Sequence, residues 1–170
     1  DMMSLKEVFG TLNKLKIGII GDIAHSRVAL SNIYGLKAMG AQVTLCGPPN
    51  LIPKNIEDMG VTVNYNIDEV IEWADALNVL RIQRERMGLD LIPSRREYRS
   101  KFGITKKRIL NHKKEIIIMH PGPMNRGVEI DSVVADSDQA IILDQVLNGV
   151  ASRMAILYLF CGESPSKDTK

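Results

Sequence analysis

Lys16-Ile17-Gly18-Ile19-Ile20-Gly21 and, shortly after it, Ser26-Arg27-Val28-Ala29-Leu30-Ser31-Asn32-Ile33-Tyr34-Gly35-Leu36-Lys37-Ala38-Met39-Gly40 are the two stretches on which the fold turns. The first is a short apolar run closed by glycine, the form of a buried strand. The second carries Ala29, Leu30, Ile33 and Leu36 on one side at helical spacing and stops at Gly40, a residue suited to helix termination. The same rhythm continues outward. Residues 42–46 read as a second strand, and Pro53 opens a short helix through Met59. Residues 61–65 read as a third strand, Asn66 or Asp68 starts a helix through Ala74, and residues 76–80 make a fourth strand. A long polar segment, 83–114, has room for one or two helices before a fifth strand at 115–119. Strand and helix in alternation predict an α/β chain: a doubly wound, five-stranded parallel sheet with helices on both faces, Rossmann-like in plan.

The two ends depart from that plan. Met2, Leu5, Val8, Phe9 and Leu12 recur at helical spacing from the start, yet only Ser4 is placed to cap such a helix and no Met stands at position 1. The expectation is a helix cut through, in a fragment or a processed product. At the other end, residues 138–160 read as one long helix. Leu143, Val146, Leu147, Val150, Met154 and Leu157 form a stripe, which Ile142, Ala155, Ile156, Tyr158, Leu159 and Phe160 widen until little polar face remains. Such a helix needs cover all round, from the core of this domain or from a second domain outside the chain. The severed first helix favours the second domain.

Composition bounds the function. The chain has 170 residues, 45% of them apolar and 25% charged, with a net charge of +2, which suits one ordinary domain. Residues 141–161 are the best candidate for a membrane span, but Asp144, Gln145, Asn148 and Arg153 interrupt them, and no signal peptide is visible in the opening Asp1-Met2-Met3-Ser4. Cys46 and Cys161 lack metal-ligand spacing, and His25, His112 and His120 form no i, i+4 pair. The expectation is no metal, no cofactor and a cytoplasmic location.

Three stretches carry candidate chemistry. The turn Gly21-Asp22-Ile23-Ala24-His25-Ser26-Arg27 runs from a strand into a helix, where backbone donors and Arg27 attract anions; Arg27 is equally readable as a solvated first-turn arginine. It is not a dinucleotide fingerprint, since the G-x-G-x-x-G spacing is missing and no acid closes the second strand. At the end of the fourth strand, Arg81 and Gln83 alternate onto one side, and an arginine fork suits a carboxylate or a phosphate. From Arg81 to Arg108 ten basic residues face three acids, Glu85, Asp90 and Glu97. Nucleic acid is the rival explanation, but only Tyr98 and Phe102 are interleaved and no binding motif accompanies them. Arg95, Arg96 and Lys106 to Arg108 also fit a solvated helical face. The third stretch, His120-Pro121-Gly122-Pro123-Met124-Asn125-Arg126-Gly127-Val128-Glu129, follows the fifth strand. Two prolines remove donors and fix φ, so the loop is stiff, either as a structural turn or as a holder of carbonyl oxygens. All three lie beyond the carboxyl ends of strands, where open α/β sheets bind ligands.

Together these stretches, with Val43-Thr44-Leu45-Cys46-Gly47-Pro48-Pro49 and Arg81-Ile82-Gln83-x-Glu85-Arg86, resemble the second half of the catalytic chain of the aspartate carbamoyltransferase family over nearly all 170 residues. Ornithine carbamoyltransferase is a cousin, but it usually shows His-Cys-Leu-Pro where this chain has His120-Pro121-Gly122-Pro123. The resemblance implies carbamoyl transfer from carbamoyl phosphate to L-aspartate in pyrimidine biosynthesis. It implies that residues 1–15 are a truncated interdomain helix, 16–135 the aspartate-binding domain, and 136–170 a helix returning toward an N-terminal domain that binds carbamoyl phosphate. None of that domain's motifs, a Ser-Thr-Arg-Thr loop and a His-Pro-x-Gln segment, is present. Arg27 and Arg81 match the arginines that hold the aspartate carboxylates, with Gln83 beside Arg81, and Gly122 and Pro123 match the positions whose carbonyls meet the amines at the reacting centre. A cis bond before Pro123 is implied as well. So is a homotrimer of complete catalytic chains, with or without regulatory chains. Leu30 departs from the family, where many relatives carry a basic residue. From the residues alone, a stand-alone α/β module that binds an anion or a nucleotide without chemistry stays open.

Overall fold

A computed structural model describes residues 1–82, 94–111 and 115–161. The strands β1 (Lys16–Ile20), β2 (Gln42–Cys46), β3 (Thr62–Val63), β4 (Ala76–Val79) and β5 (Ile117–Met119) form one parallel sheet in the order β3-β2-β1-β4-β5. Register is continuous across it: Ile17 lies between Val43 and Ala76, and Ala76 pairs in turn with Ile117. The helices are α1 (Met2–Phe9), α2 (Arg27–Ala38), α3 (Ile67–Trp73), α4 (Arg95–Phe102), α5 (Lys106–Leu110), α6 (Ser132–Ala135) and α7 (Ile142–Cys161).

Alternation along the strands divides the interior in two. Ile17, Ile19, Val43 and Leu45 point to a core shared with Leu5 of α1 and Ala29, Ile33 and Leu36 of α2. Ile20, Cys46, Leu77 and Val79 point to the opposite core, with Val70 and Ile71 of α3, Tyr98 and Phe102 of α4, and Val134 of α6. Apolar faces on both sides of each central strand force a doubly wound sheet, because each face must be covered. Ile19 is fully buried, a change worth roughly 1.5–3 kcal/mol relative to exposure. Gly18 lets α3 approach, since a Cβ there would lie 2.9 Å from both Leu77 Cδ2 and Val70 Cγ1.

Several expected boundaries move. β3 is reduced to two residues at the sheet edge, and the helix expected at 53–59 is a single 3-10 turn, Ile56–Met59. A second such turn, Pro49–Leu51, and the short α6 follow stretches without clear periodicity. The last helix begins at Ile142 rather than Asp138, because Ile118 N donates to Gln139 O and Ile141 N to Ile118 O, which draws residues 139–141 out alongside β5. Ser4 is no cap. It lies inside α1, buried, and its Oγ accepts from Asn148 Nδ2 at 3.0 Å.

The C-terminal half of α7 has no place in the core of this chain. Ile142, Gln145 and Asn148 are its buried residues, and everything from Ala151 to Cys161 is exposed, Tyr158 and Phe160 to 80% and 82%. No helix among the described residues is long and apolar enough to cross a membrane.

Candidate functional site

The strand order creates the site. The chain moves outward from β1 through β2 to β3, then returns to place β4 on the other side of β1. Between β1 and β4 the connections leave in opposite directions, which opens a crevice beyond the carboxyl ends of the strands. The β1 exit leads to Arg27, the β4 exit to Arg81, and β5, next to β4, leads to the loop beginning at His120. All three predicted constellations therefore share one edge of the sheet, on adjacent strands. Gln83 lies outside the described residues.

The β1 exit is strapped to β2. Gly21 N donates to Cys46 O at 2.8 Å, and Ile23 N and Ala24 N both donate to Leu51 O, at 3.1 and 2.9 Å. Gly21 adopts φ 127°, and a Cβ at Gly47 would stand 2.3 Å from Gly21 O, so the two exits touch backbone to backbone. Asp22, buried, accepts from His25 N at 3.2 Å and holds His25 Nδ1 at 2.9 Å. Ser26 then caps α2, its Oγ accepting from Ala29 N at 3.1 Å. Arg27 is the first residue of that helix. It is exposed, and its side chain makes no hydrogen bond or ion pair among the described residues.

The β5 loop is built more tightly. Gly122-Pro123 is a cis peptide, as the resemblance implied, and Gly122 and Gly127 take φ 63° and 78°. His120 is buried at its base; its N donates to Gln145 Oε1 on α7 at 2.8 Å, and its Nδ1 accepts from Gly122 N at 2.9 Å. Because a main-chain N–H can only donate, Nδ1 carries no hydrogen and the ring proton belongs to Nε2. Nε2 faces Glu129 Oε1 across 3.4 Å, and both side chains are wholly buried. The same Glu129 oxygen accepts from Asn125 N, and Asn125 Nδ2 reaches back to Ile82 O at 3.1 Å, one residue beyond Arg81. Glu129 also faces the buried phenol of Tyr98, whose pKa lies far above its ordinary value through burial first and the Glu129 charge second. Further out, Arg126 grips Asp136 with two bonds of 2.6 and 2.7 Å.

A polar seam continues from Gln145. Its Nε2 donates to Asp1 Oδ1 at 2.8 Å, and Asp1 Oδ2 accepts from Asn32 Nδ2 at 2.5 Å and Asn78 Nδ2 at 3.3 Å, joining α1, α2, β4 and α7. Sequence reading placed Asn125 and Glu129 in the candidate loop without giving either a role, and missed Gln145. The available signal was Glu129 itself, an acid placed between apolar residues directly after a rigid loop. Among the described residues no three His, Cys, Asp or Glu side chains gather as metal ligands.

With this geometry in place, the comparisons are specific. The family profile "Aspartate/ornithine carbamoyltransferase, Asp/Orn binding domain" matches residues 13–160. The aspartate carbamoyltransferase catalytic subunit of Gemmatimonas aurantiaca is 56% identical over 165 residues, covering 97% of this chain and 52% of that protein. The one from Christiangramia forsetii is 56% identical over 163 residues, covering 96% and 53%. The chain thus spans about half the length of the curated relatives it matches. Among solved structures, ornithine carbamoyltransferase from Pyrococcus furiosus superposes with a TM-score of 0.78 over 97% of this chain and 55% of the other, at 23% identity. The Gloeobacter violaceus enzyme gives 0.77 over 92% and 55%, at 21% identity. At that distance the likeness is one of fold.

Proposed function

The chain belongs to the aspartate/ornithine carbamoyltransferase family, and from that premise we propose that it is the aspartate-binding half of an aspartate carbamoyltransferase. L-Aspartate carries two carboxylates, and two arginines, Arg27 and Arg81, stand at neighbouring strand exits on either side of the crevice. That placement is the observation on which the reading rests. The fork of each guanidinium suits a carboxylate in two-point contact. Gln83 sits beside Arg81 in sequence and completes the amino-acid grip. The carbonyls of Gly122 and Pro123 meet the amines at the reacting centre. There the α-amine of aspartate attacks the carbamoyl carbon and phosphate departs, with no covalent enzyme intermediate, so rate comes from positioning and electrostatics.

Carbamoyl phosphate is held by the other half of the protein. The exposed apolar face of α7 packs there, and residues 1–15 and 136–170 form the connections, with 16–135 as the aspartate-binding domain. The complete catalytic chains assemble as a homotrimer, with or without regulatory chains, and work in the cytoplasm in pyrimidine biosynthesis. Aspartate is preferred to ornithine as the acceptor because His120-Pro121-Gly122-Pro123 replaces the ornithine-type segment, and because the relatives at 56% identity are named for aspartate.

The test is Arg81→Ala in the full-length protein. Loss of a charged hydrogen bond, about 1.5–3 kcal/mol, raises the aspartate KM and lowers kcat, for a combined loss of at least tenfold in kcat/KM, with the KM for carbamoyl phosphate nearly unchanged. An unaltered aspartate dependence removes Arg81 from the site.

A further inference from the structure

We propose that His120 is a positioning residue that sets the direction of the loop carbonyls; this rests on the functional reading above, and it assigns a role to a buried group which that reading leaves idle. Pro121 and Pro123 have no N–H, so Gly122 N is the one main-chain donor in residues 121–123. His120 Nδ1 takes it at 2.9 Å. The peptide unit joining Pro121 to Gly122 is planar, so an N–H turned inward to His120 turns the Pro121 carbonyl the opposite way, outward from the base of the loop. Gly122, at φ 63°, and Pro123 continue from that fixed plane.

The residue is held on both its main chain and its ring. Its main-chain N donates to Gln145, Nδ1 accepts from Gly122 N, and Nε2 lies 3.4 Å from Glu129 without completing a hydrogen bond, with no part of the side chain reaching solvent. Glu129 carries the constraint further, since the oxygen facing His120 also accepts from Asn125 N, and Asn125 Nδ2 holds Ile82 O. One buried imidazole–carboxylate pair thereby fixes both the loop that presents the carbonyls and the strand exit next to Arg81. Loop and exit keep their relative positions as a unit. A side chain that only filled space at position 120 would not need the Nδ1 acceptor.

The two ring nitrogens can be separated by substitution. His120→Asn keeps a δ-position acceptor, Oδ1 in place of Nδ1, for Gly122 N but loses the reach to Glu129, whereas His120→Gln keeps a donor toward Glu129 and loses the δ-position acceptor. In the full-length protein, His120→Ala lowers kcat on the order of 10²-fold, the scale of an ångström's misplacement at a reacting centre, with the carbamoyl phosphate KM within about twofold of the parent. His120→Asn restores at least about tenfold of that loss; His120→Gln stays near the Ala level. Melting temperatures measured alongside identify any variant that loses activity through unfolding. Two further readings do not depend on turnover. Ring ¹⁵N shifts show His120 with its proton on Nε2, and hydrogen exchange at Gly122 is slow in the parent and the Asn variant but fast in the Ala and Gln variants. A folded Ala variant within about twofold of parental kcat, Asn and Gln variants that behave alike, or a proton on Nδ1 would each overturn the proposal. A parent protein that transfers no carbamoyl group at all sinks the functional reading instead, and leaves the ring shifts and the exchange rates to judge His120.

Discussion

Gly47→Ala tests whether the β1 and β2 exits are as close as the structure draws them. The new Cβ would stand 2.3 Å from Gly21 O, against 3.4 Å or more for an ordinary contact, so the backbone must open by about an ångström. The obstacle is a main-chain oxygen, which cannot swing aside as a side chain does. Gly47 also has no left-handed φ, so the cost is steric alone. Overpacking of this kind costs about 1–3 kcal/mol, a sizeable part of the roughly 5–15 kcal/mol that stabilises a domain. The displaced residue, Gly21, begins the turn that ends in Arg27, and Gly21 N is hydrogen-bonded to Cys46 O immediately before Gly47. A shift there moves Arg27, the arginine proposed to hold an aspartate carboxylate, by a similar distance, so on that proposal the aspartate kcat/KM falls on the order of 10²-fold. Denaturant unfolding gives the stability term, and steady-state kinetics on the full-length protein give the other. An alanine variant with parental midpoint and parental aspartate kinetics would show that the backbone approach is wrong.

Other outcomes follow from single groups. Cys161 is exposed while burial pushes the Cys46 thiol up to about 12, so a thiol reagent at pH 8 titrates Cys161 quickly and reaches Cys46 only in denaturant. Arg126 holds the Asp136 carboxyl below its ordinary value, chiefly through their hydrogen bonds. The small stabilisation this gives is present above the usual carboxylate range and fades as pH falls through the depressed value; in Arg126→Ala an NMR titration finds Asp136 back near 3.8. Residues 1–170 expressed alone show no carbamoyl transfer and self-associate through α7 in light scattering. Leu157→Lys with Phe160→Lys reduces that association, and a monomeric unsubstituted chain would contradict it.

The central sheet was legible because its signals are physical and local. β1, β2 and β4 are short apolar runs buried on both faces, and Ser26 and Gly40 bracket α2 by capping chemistry. The topology that brings Arg27, Arg81 and the His120 loop to one edge follows from parallel connection, and so was visible before any coordinate. What escaped is set by tertiary contact. Residues 139–141 look helical but are captured by Ile118 on β5, and Ser4 looks like a cap but serves Asn148 from inside the helix. The role of Glu129, though the residue lay in the candidate loop, escaped because its partners, His120 and Asn125, are assembled by the return of a loop rather than by any helical or strand period. The cis bond at Pro123 was reached through family resemblance alone, and no spacing in the chain encodes it.

The most direct test of the account is acceptor choice. The full-length protein is supplied with carbamoyl phosphate and either L-aspartate or L-ornithine, and the carbamoylated product is measured under identical conditions. The two-arginine crevice predicts turnover with aspartate that saturates, is lost in the Arg27→Ala, Arg81→Ala double variant, and is absent with ornithine, whose second amine would face two guanidinium groups. Turnover with ornithine, or aspartate turnover that survives loss of both arginines, would contradict it.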